Sequence, residues 1–495
     1  MEKKISNKKL TWILVVIFVL ISLYPLFAFL GTQPLRTWDE SRVATSSYEM
    51  TKTKNPIVVT YDYKPDHWSV KPPLAIWIQA LSIKVFGANE VAVRLPSALA
   101  ILLMGVVIIL LTGVIKKPFL GFYAASVIIC SRGFFIYHSG RSADYDALLC
   151  FFMIAYLLLF FIYTETKEKK YYILFFVSLI FATLTKGIQA LMPLPFIPIY
   201  LIFRKQLLPI LKDKTTYIGI GLFILFVGGY YIGRELSYGG YLKAVYENEL
   251  GGRFMTVLEN NSGGKCYYIN NLKTNYFTYF FYILPLAFIF TLFVKDKQVK
   301  RLSIFSMSIA IMQYVFLLIA KTKLHWYLLP LMPLFALVIG SAFYVIHNWI
   351  INLKYKTSKI YILIIVAYIA VFSIPYKRIV KHIYRPKEDP LYQAYYSRSE
   401  LMKSLLKGNI VVNDTINYIN GDYDQSSMFY FYAMNHYDIH NQRKNIEDLK
   451  LGDLVQINEI ETDEKIMERF EYEVLHFKIQ SKIVRLTKLL ETQNM

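Results

Sequence analysis

Cysteine is scarce in this 495-residue chain. Cys130, Cys150 and Cys266 lie far apart and show no CxxC spacing, so neither a disulfide framework nor a thiolate zinc site is expected. Charge is scarce as well, at 18% of residues against 55% hydrophobic, which sets the chain apart from ordinary soluble domains. Acids are scarcer than bases, 35 against 55, and the formal charge is +20. That excess invites a nucleic-acid reading. The basic residues, however, sit in short clusters between apolar runs, and no basic stripe shares a compact domain with base-stacking aromatics. Also missing are a GxxxxGK(S/T) phosphate loop, a glycine-rich dinucleotide fingerprint, an internal repeat and a low-complexity tract.

Long apolar runs are what the chain has in abundance. After a basic head, residues 10–30 form a stretch long enough to cross a ~30 Å hydrocarbon core, read as an uncleaved first helix with its N-terminus in the cytoplasm. Further spans are expected near 92–115, 118–137, 147–164, 171–186, 188–203, 215–234, 275–294, 302–320, 325–346 and 360–376, eleven in all. The short pair flanking Lys186 could be a broken or re-entrant unit. Alternate connections then carry the positive charge: Lys116 and Lys117; Lys167, Lys169 and Lys170; Arg204, Lys205, Lys212 and Lys214; Lys295, Lys297, Lys300 and Arg301; Lys354, Lys356 and Lys359. Basic residues resist translocation, so these loops are assigned to the inner face. The segments 32–91 and 235–274 and the C-terminal tail fall on the outer face. The expected architecture is an α-helical polytopic membrane domain, residues 1–377, whose outer loop 32–91 carries the chemistry. A small α/β domain, residues 378–495, follows on the outer face. In it GNIVVND, DLVQINEI and YEVLHFKIQ read as strands, and SSMFYFYAMN and DEKIMERF as helices.

Ionisable residues beside apolar spans are costly and mark either a substrate path or a structural pair. Asp39 and Glu40 follow the first span and could simply cap the helix continuing through VATSSYEM. Lys71 precedes Pro72 and Pro73, which suit the start of a helix; its amine either snorkels or binds a phosphate. Arg141, Asp144 and Asp146 precede the fourth span and could form a closed ion-pair network. Lys186, Lys323 and Tyr327 stand at other outer span ends, where singly they are ordinary anchors. Together, carboxylates beside several cations suit deprotonation of a hydroxyl while an anionic phosphate departs. Tyr61 to His67 offers acids and a histidine, for which a solvated surface loop is the preferred account. No metal site and no particular cofactor are assigned, and the acids would permit a divalent cation. The segment from Tyr246 to Lys265 is expected to be a flexible outer loop able to cover a cavity.

The chain resembles membrane glycosyltransferases of the GT-C fold, in the branch of protein O-mannosyltransferases and the lipid A aminoarabinose transferase. The matching pieces are Asp39-Glu40 with Glu49-Met50, Lys71-Pro72-Pro73-Leu74 with Trp77, Phe86-Gly87, and Arg94-Leu95-Pro96-Ser97. They continue with Arg141, Asp146-Ala147-Leu148-Leu149, Leu184-Thr185-Lys186-Gly187, and Lys323 through Tyr327 to Pro330. They run in order over about the first 335 residues. The resemblance implies a polyprenyl-phosphate sugar donor, a lipid, glycan or protein acceptor entering from the outer side, and inversion at the anomeric carbon. It makes Asp39 the base, with Glu40 beside it, and Asp146 the second acid, with Asp144 its competitor. Lys71 becomes the foremost donor-phosphate ligand, joined by Arg141, Lys186, Lys323 and Tyr327. A transporter or flippase of lipid-linked sugars would also keep charges among its spans. Such proteins often show related halves and midplane charges, whereas here the charges cluster at outer span ends.

Overall fold

A computed structural model of the chain describes residues 6–136, 138–352, 358–384, 392–422 and 425–490. Lys354 and Lys356 of the expected basic loops lie outside them. The chain divides into two compact units, Met1–Ala28 with Asp66–Ala75 and Pro96–Tyr384, and Phe29–Pro65 with Ile76–Leu95 and Arg385–Met495.

The first unit is helical. Among the described residues eight helices are long and apolar enough to cross a membrane: Asn7–Phe27, Glu90–Val114, Asp146–Thr166, Lys169–Leu191, Lys214–Ser237, Lys297–Ile319, His325–Ile351 and Ile360–Ile383. Each answers to an expected span. The other three expected spans are interrupted, for local reasons. Over 118–137 the helix Pro118–Ile129 has 12 residues and gives way to a 3₁₀ turn at Arg132–Phe134, where a charge and Gly133 end the apolar run. Over 188–203 three prolines, Pro193, Pro195 and Pro198, deny amide donors to a continuous helix, leaving only Phe196–Phe203. Over 275–294 only Ile283–Leu292 forms a regular helix, with Pro285 tolerated in its first turn.

Packing sets which helix is central. Asp146–Thr166 has 89% of its apolar window buried, whereas Lys214–Ser237 has 22% and Ile360–Ile383 has 11%, so the first forms the core and the last two face outward. Small residues allow close approach, as expected where helices pack without a hydrophobic drive between them. A Cβ on Gly340 would lie 2.7 Å from the Ala124 amide nitrogen, and one on Gly105 would lie 2.2 Å from the Phe18 ring.

The second unit contains a five-stranded mixed sheet in the order Asn441–Lys444, Ile416–Ile419, Leu454–Ile457, Ser481–Leu489, Phe470–Lys478. The first three strands are parallel and the last three antiparallel. Its core gathers Ile419, Val455, Ile457, Ile466, Phe470, Val484 and Leu486. The expected helices are present as Gln425–His436 and Ile460–Met467. One expected strand is displaced. GNIVVND is irregular, with Val411 73% exposed, and the ladder is taken by the next four residues that are all buried, Ile416–Ile419.

Asp422 follows the strand Ile416–Ile419. Burial pushes its carboxyl up to about 6 from 3.8, although the Asn458 amide donates to it. The folded state therefore holds a proton that the unfolded chain releases, so this group's stabilisation is complete below about pH 3.8 and is lost as the pH rises through 6. Hydrogen exchange at Ile416–Ile419, corrected for intrinsic rates, is expected to lose protection between pH 4 and 6, about one unit either side. Asp422→Asn is expected to remove that part of the slope.

Candidate functional site

Helices Asp146–Thr166 and Lys169–Lys186 are joined by a two-residue turn. The second runs back along the first, so the opening residue of one meets the closing residue of the other. Lys186 Nζ donates to both oxygens of Asp146, at 2.6 and 2.7 Å, and the two side chains are 5% and 1% exposed. A buried pair of this kind is held by its geometry, and removing one partner strands a charge.

Around this pair the same unit assembles further groups. Asp144 accepts from the Tyr145 amide at 2.6 Å and pairs with His138 Nδ1. The His138 ring stacks on Trp326 with centroids 3.9 Å apart. Burial works against ionisation of Asp144, but His138, then Lys186 and Lys71, outweigh it and hold the carboxyl well below the usual carboxylate range. The Lys71 amine lies 5.0 Å from the centre of the Tyr145 ring. Burial, and then Asp144, push the Tyr145 phenol up, so it remains a neutral surface for the cation. The strap bearing Lys71 is fixed from both sides, because Arg234 donates to the Asp66 carbonyl at 2.9 Å and the Tyr241 hydroxyl donates to the Val70 carbonyl at 2.8 Å. No ion pair engages Lys71 among the described residues, which leaves its amine available to an anion.

The remaining expected phosphate ligands divide by what they already bind. Arg141 donates to the carbonyls of Pro25, Leu26 and Ala28 at 2.8–3.1 Å, and Lys323 donates to those of Leu317 and Leu318 at 2.8 and 2.7 Å. Both satisfy the orphan carbonyls at helix C-termini. Tyr327, by contrast, stays with the cluster, its ring centre 5.4 Å from Lys186 Nζ. Tyr327 also lines a cavity of about 450 Å³ whose wall is otherwise mainly apolar, including Ile188, Met192, Phe254 and Phe316. Arg253 stands in that wall with a buried Nε lacking a hydrogen-bond partner. The sequence reading missed it, since one arginine in a long loop carries no distinguishing pattern. The loop itself is less free than expected. Thr322 donates its amide to the Arg253 carbonyl at 3.1 Å, and Lys323 donates to that of Asn261 at 2.9 Å.

In the second unit, Asp39 and Glu40 begin helix Asp39–Thr53. Glu40 is 5% exposed and accepts two hydrogen bonds from Arg94, at 2.7 and 2.9 Å. Arg94 also donates to the carbonyls of Leu30, Gln33 and Pro34, and Lys403 holds those of Gly31 and Thr32. The segment leading to Asp39 is therefore clamped carbonyl by carbonyl. Trp38, directly before Asp39, has φ +74°, a conformation that tryptophan adopts only where the surroundings impose it. Asp39 itself is half-buried at the helix start.

Known proteins match at three levels. The family described as dolichyl-phosphate-mannose-protein mannosyltransferase matches residues 70–230. An uncharacterized protein of Aquifex aeolicus is 28% identical over 66% of this chain and 62% of its own length. The undecaprenyl phosphate-alpha-4-amino-4-deoxy-L-arabinose arabinosyl transferase of Shewanella sediminis is 25% identical over 68% of this chain and 60% of its own. The chain thus spans about three fifths of the length of these curated relatives. The crystal structure of ArnT from Cupriavidus metallidurans bound to undecaprenyl phosphate superposes with a TM-score of 0.70 at 14% identity, covering 96% of this chain and 97% of that one. The class defined is a polytopic membrane protein of the GT-C fold. Within that fold the chain is similar to the arabinosyl transferases named above and, over residues 70–230, to the mannosyltransferase family, as its motifs led one to expect.

Lys186→Met is expected to destabilise the protein by about 3–5 kcal/mol in denaturant titrations, the cost of leaving Asp146 buried alone, and Lys186→Met with Asp146→Leu to recover much of that loss.

Proposed function

We propose that this protein is an inverting glycosyltransferase moving a sugar from a polyprenyl-phosphate donor to a hydroxyl or phosphate acceptor at the extracytoplasmic face of the cell membrane. The observation that carries the reading is the grouping of Lys71, Asp144, Asp146, Lys186 and Tyr327, with Tyr327 also in the wall of a large apolar cavity. A phosphate joined to an isoprenoid chain requires such a pairing of an available amine with an apolar compartment. The mannosyltransferase family match over residues 70–230 and the relatives named above support the reading.

In the proposed step the acceptor oxygen attacks the anomeric carbon opposite the phosphate, and the bond between that carbon and the phosphate oxygen breaks. The electron pair stays on the departing phosphate, and the acceptor proton passes to Asp39. Lys71 contacts the phosphate and stabilises its growing charge, a contribution of ~3–4 kcal/mol for a well-placed donor. Glu40, locked by Arg94, fixes the turn that presents Asp39. Lys186 holds Asp146 in place through both carboxylate oxygens. The energy comes from the donor bond, so no nucleotide takes part. The N-terminus is assigned to the cytoplasm and the C-terminal unit to the outer side by the distribution of Lys and Arg. Lipid A, an envelope glycan and a protein hydroxyl are all acceptors of suitable chemistry.

Transfer assayed with purified undecaprenyl-phosphate-linked sugar is expected to fall by about 10²–10⁴ in Asp39→Asn, the usual range for a general base. Lys71→Met is expected to fall by about 10²–10³. Wild-type rates in a folded Asp39→Asn protein would remove Asp39 from the mechanism.

A further inference from the structure

At the end of helix Asp146–Thr166 remote from Asp146, a second charged cluster has no part in the transfer chemistry. Glu165, its side chain 2% exposed, accepts from Arg204 Nη2 at 3.0 Å and from Arg301 Nε at 2.9 Å. Lys167, two residues after Glu165 at the helix end, lies within electrostatic range of Arg204 and Glu165. Two guanidiniums therefore share one carboxylate, with a third cation beside them. Arg204 Nε is buried with no hydrogen-bond partner, so even the best-placed guanidinium keeps an unused donor. Partial burial, followed by the Arg204 charge, lowers the Lys167 amine below its ordinary value. Next along the chain from these cations are large apolar side chains with nothing of the protein covering them: Ile202 at 59% exposed, Phe203 at 84% and Leu208 at 68%. Charge of one sign next to uncovered aliphatic and aromatic surface at the end of apolar helices is the complement of an anionic amphiphile.

We infer that Lys167, Arg204 and Arg301 form a binding site for the phosphate of an anionic glycerophospholipid, with its acyl chains against Ile202, Phe203 and Leu208. The phosphate neutralises the cations left over by Glu165 and is reached by the exposed edges of Arg204 and Arg301, whose side chains are 21% and 28% exposed. Arginine suits this role through its planar fork of donors, and lysine as a point charge. The lipid would tie together the ends of helices Asp146–Thr166, Phe196–Phe203 and Lys297–Ile319. Its site is separate from the donor site proposed above, and it holds or fails independently of that reading.

The test uses the full-length protein reconstituted with equal phosphatidylglycerol and phosphatidylcholine, then extracted and weighed by native mass spectrometry with its retained lipids. The wild type is expected to retain phosphatidylglycerol in preference, and Lys167→Gln to reduce that preference about fivefold, the equivalent of ~1 kcal/mol for one cation near a lipid surface. Arg204→Gln is expected to reduce it at least as much. Lys167 carries no hydrogen bond to another side chain, so its variant tests the site without disturbing the Glu165 pair. Equal retention of the two lipids by the wild type, or an unchanged preference in both variants, would overturn the inference. Release of phosphatidylglycerol by millimolar inorganic phosphate would assign the site to a soluble anion and overturn it as well, whereas retention through that wash supports a lipid.

Discussion

Charge inside an apolar bundle persists only where it is neutralised in place, and the contact of Lys186 with both oxygens of Asp146 is where this chain meets that constraint most severely. The pair joins the ends of two antiparallel helices, and a polar cluster of the first unit is arranged about it. Asp144 precedes the same helix start, His138 reaches it, and Trp326 stacks on His138. Lys71 is brought within electrostatic range on a strap tied to Arg234 and Tyr241. With Asp146 already satisfied by Lys186, Lys71 is the cation left available. That division of labour, one lysine structural and one free, is what a phosphate-binding site requires.

The second unit solves a different problem by similar means. A short segment without regular structure, residues 30–35, must be held so that the residues after it begin a helix at a defined place. Arg94 and Lys403 do this by donating to five successive or nearby carbonyls, while the Tyr430 hydroxyl receives the Leu35 amide. Both cations also meet carboxylates, Glu40 and Glu90. Glu40 is thereby a support for the neighbouring acid, which accounts for two adjacent acids with unequal environments.

Much of this was legible from residue order. The eight long helices declare themselves by apolar length, and the shortening of the span at 188–203 to Phe196–Phe203 follows from Pro193, Pro195 and Pro198. Helix Asp39–Thr53 and the start of Leu74–Phe86 after paired prolines were readable from capping chemistry. The roles of the basic residues were not. Arg141 and Lys323 sit in motifs like that of Lys186, yet they close helix ends, and a cation that caps carbonyls looks the same in sequence as one that awaits phosphate. Strands Asn441–Lys444 and Ser481–Leu489 escaped because NQRK has no apolar alternation and SKIVRLTKL carries charges through its length. Arg253 escaped because its importance lies in a cavity assembled from four separate stretches of chain.

The central claim is that Lys71 receives the donor phosphate while the isoprenoid chain occupies the cavity walled by Met192, Phe254 and Phe316. A structure of this protein with undecaprenyl phosphate bound tests it most directly. The account predicts a phosphate oxygen within hydrogen-bond distance of Lys71 Nζ and continuous density for the chain past Tyr327. A phosphate held elsewhere, with Lys71 unoccupied and the cavity without the isoprenoid, would contradict it.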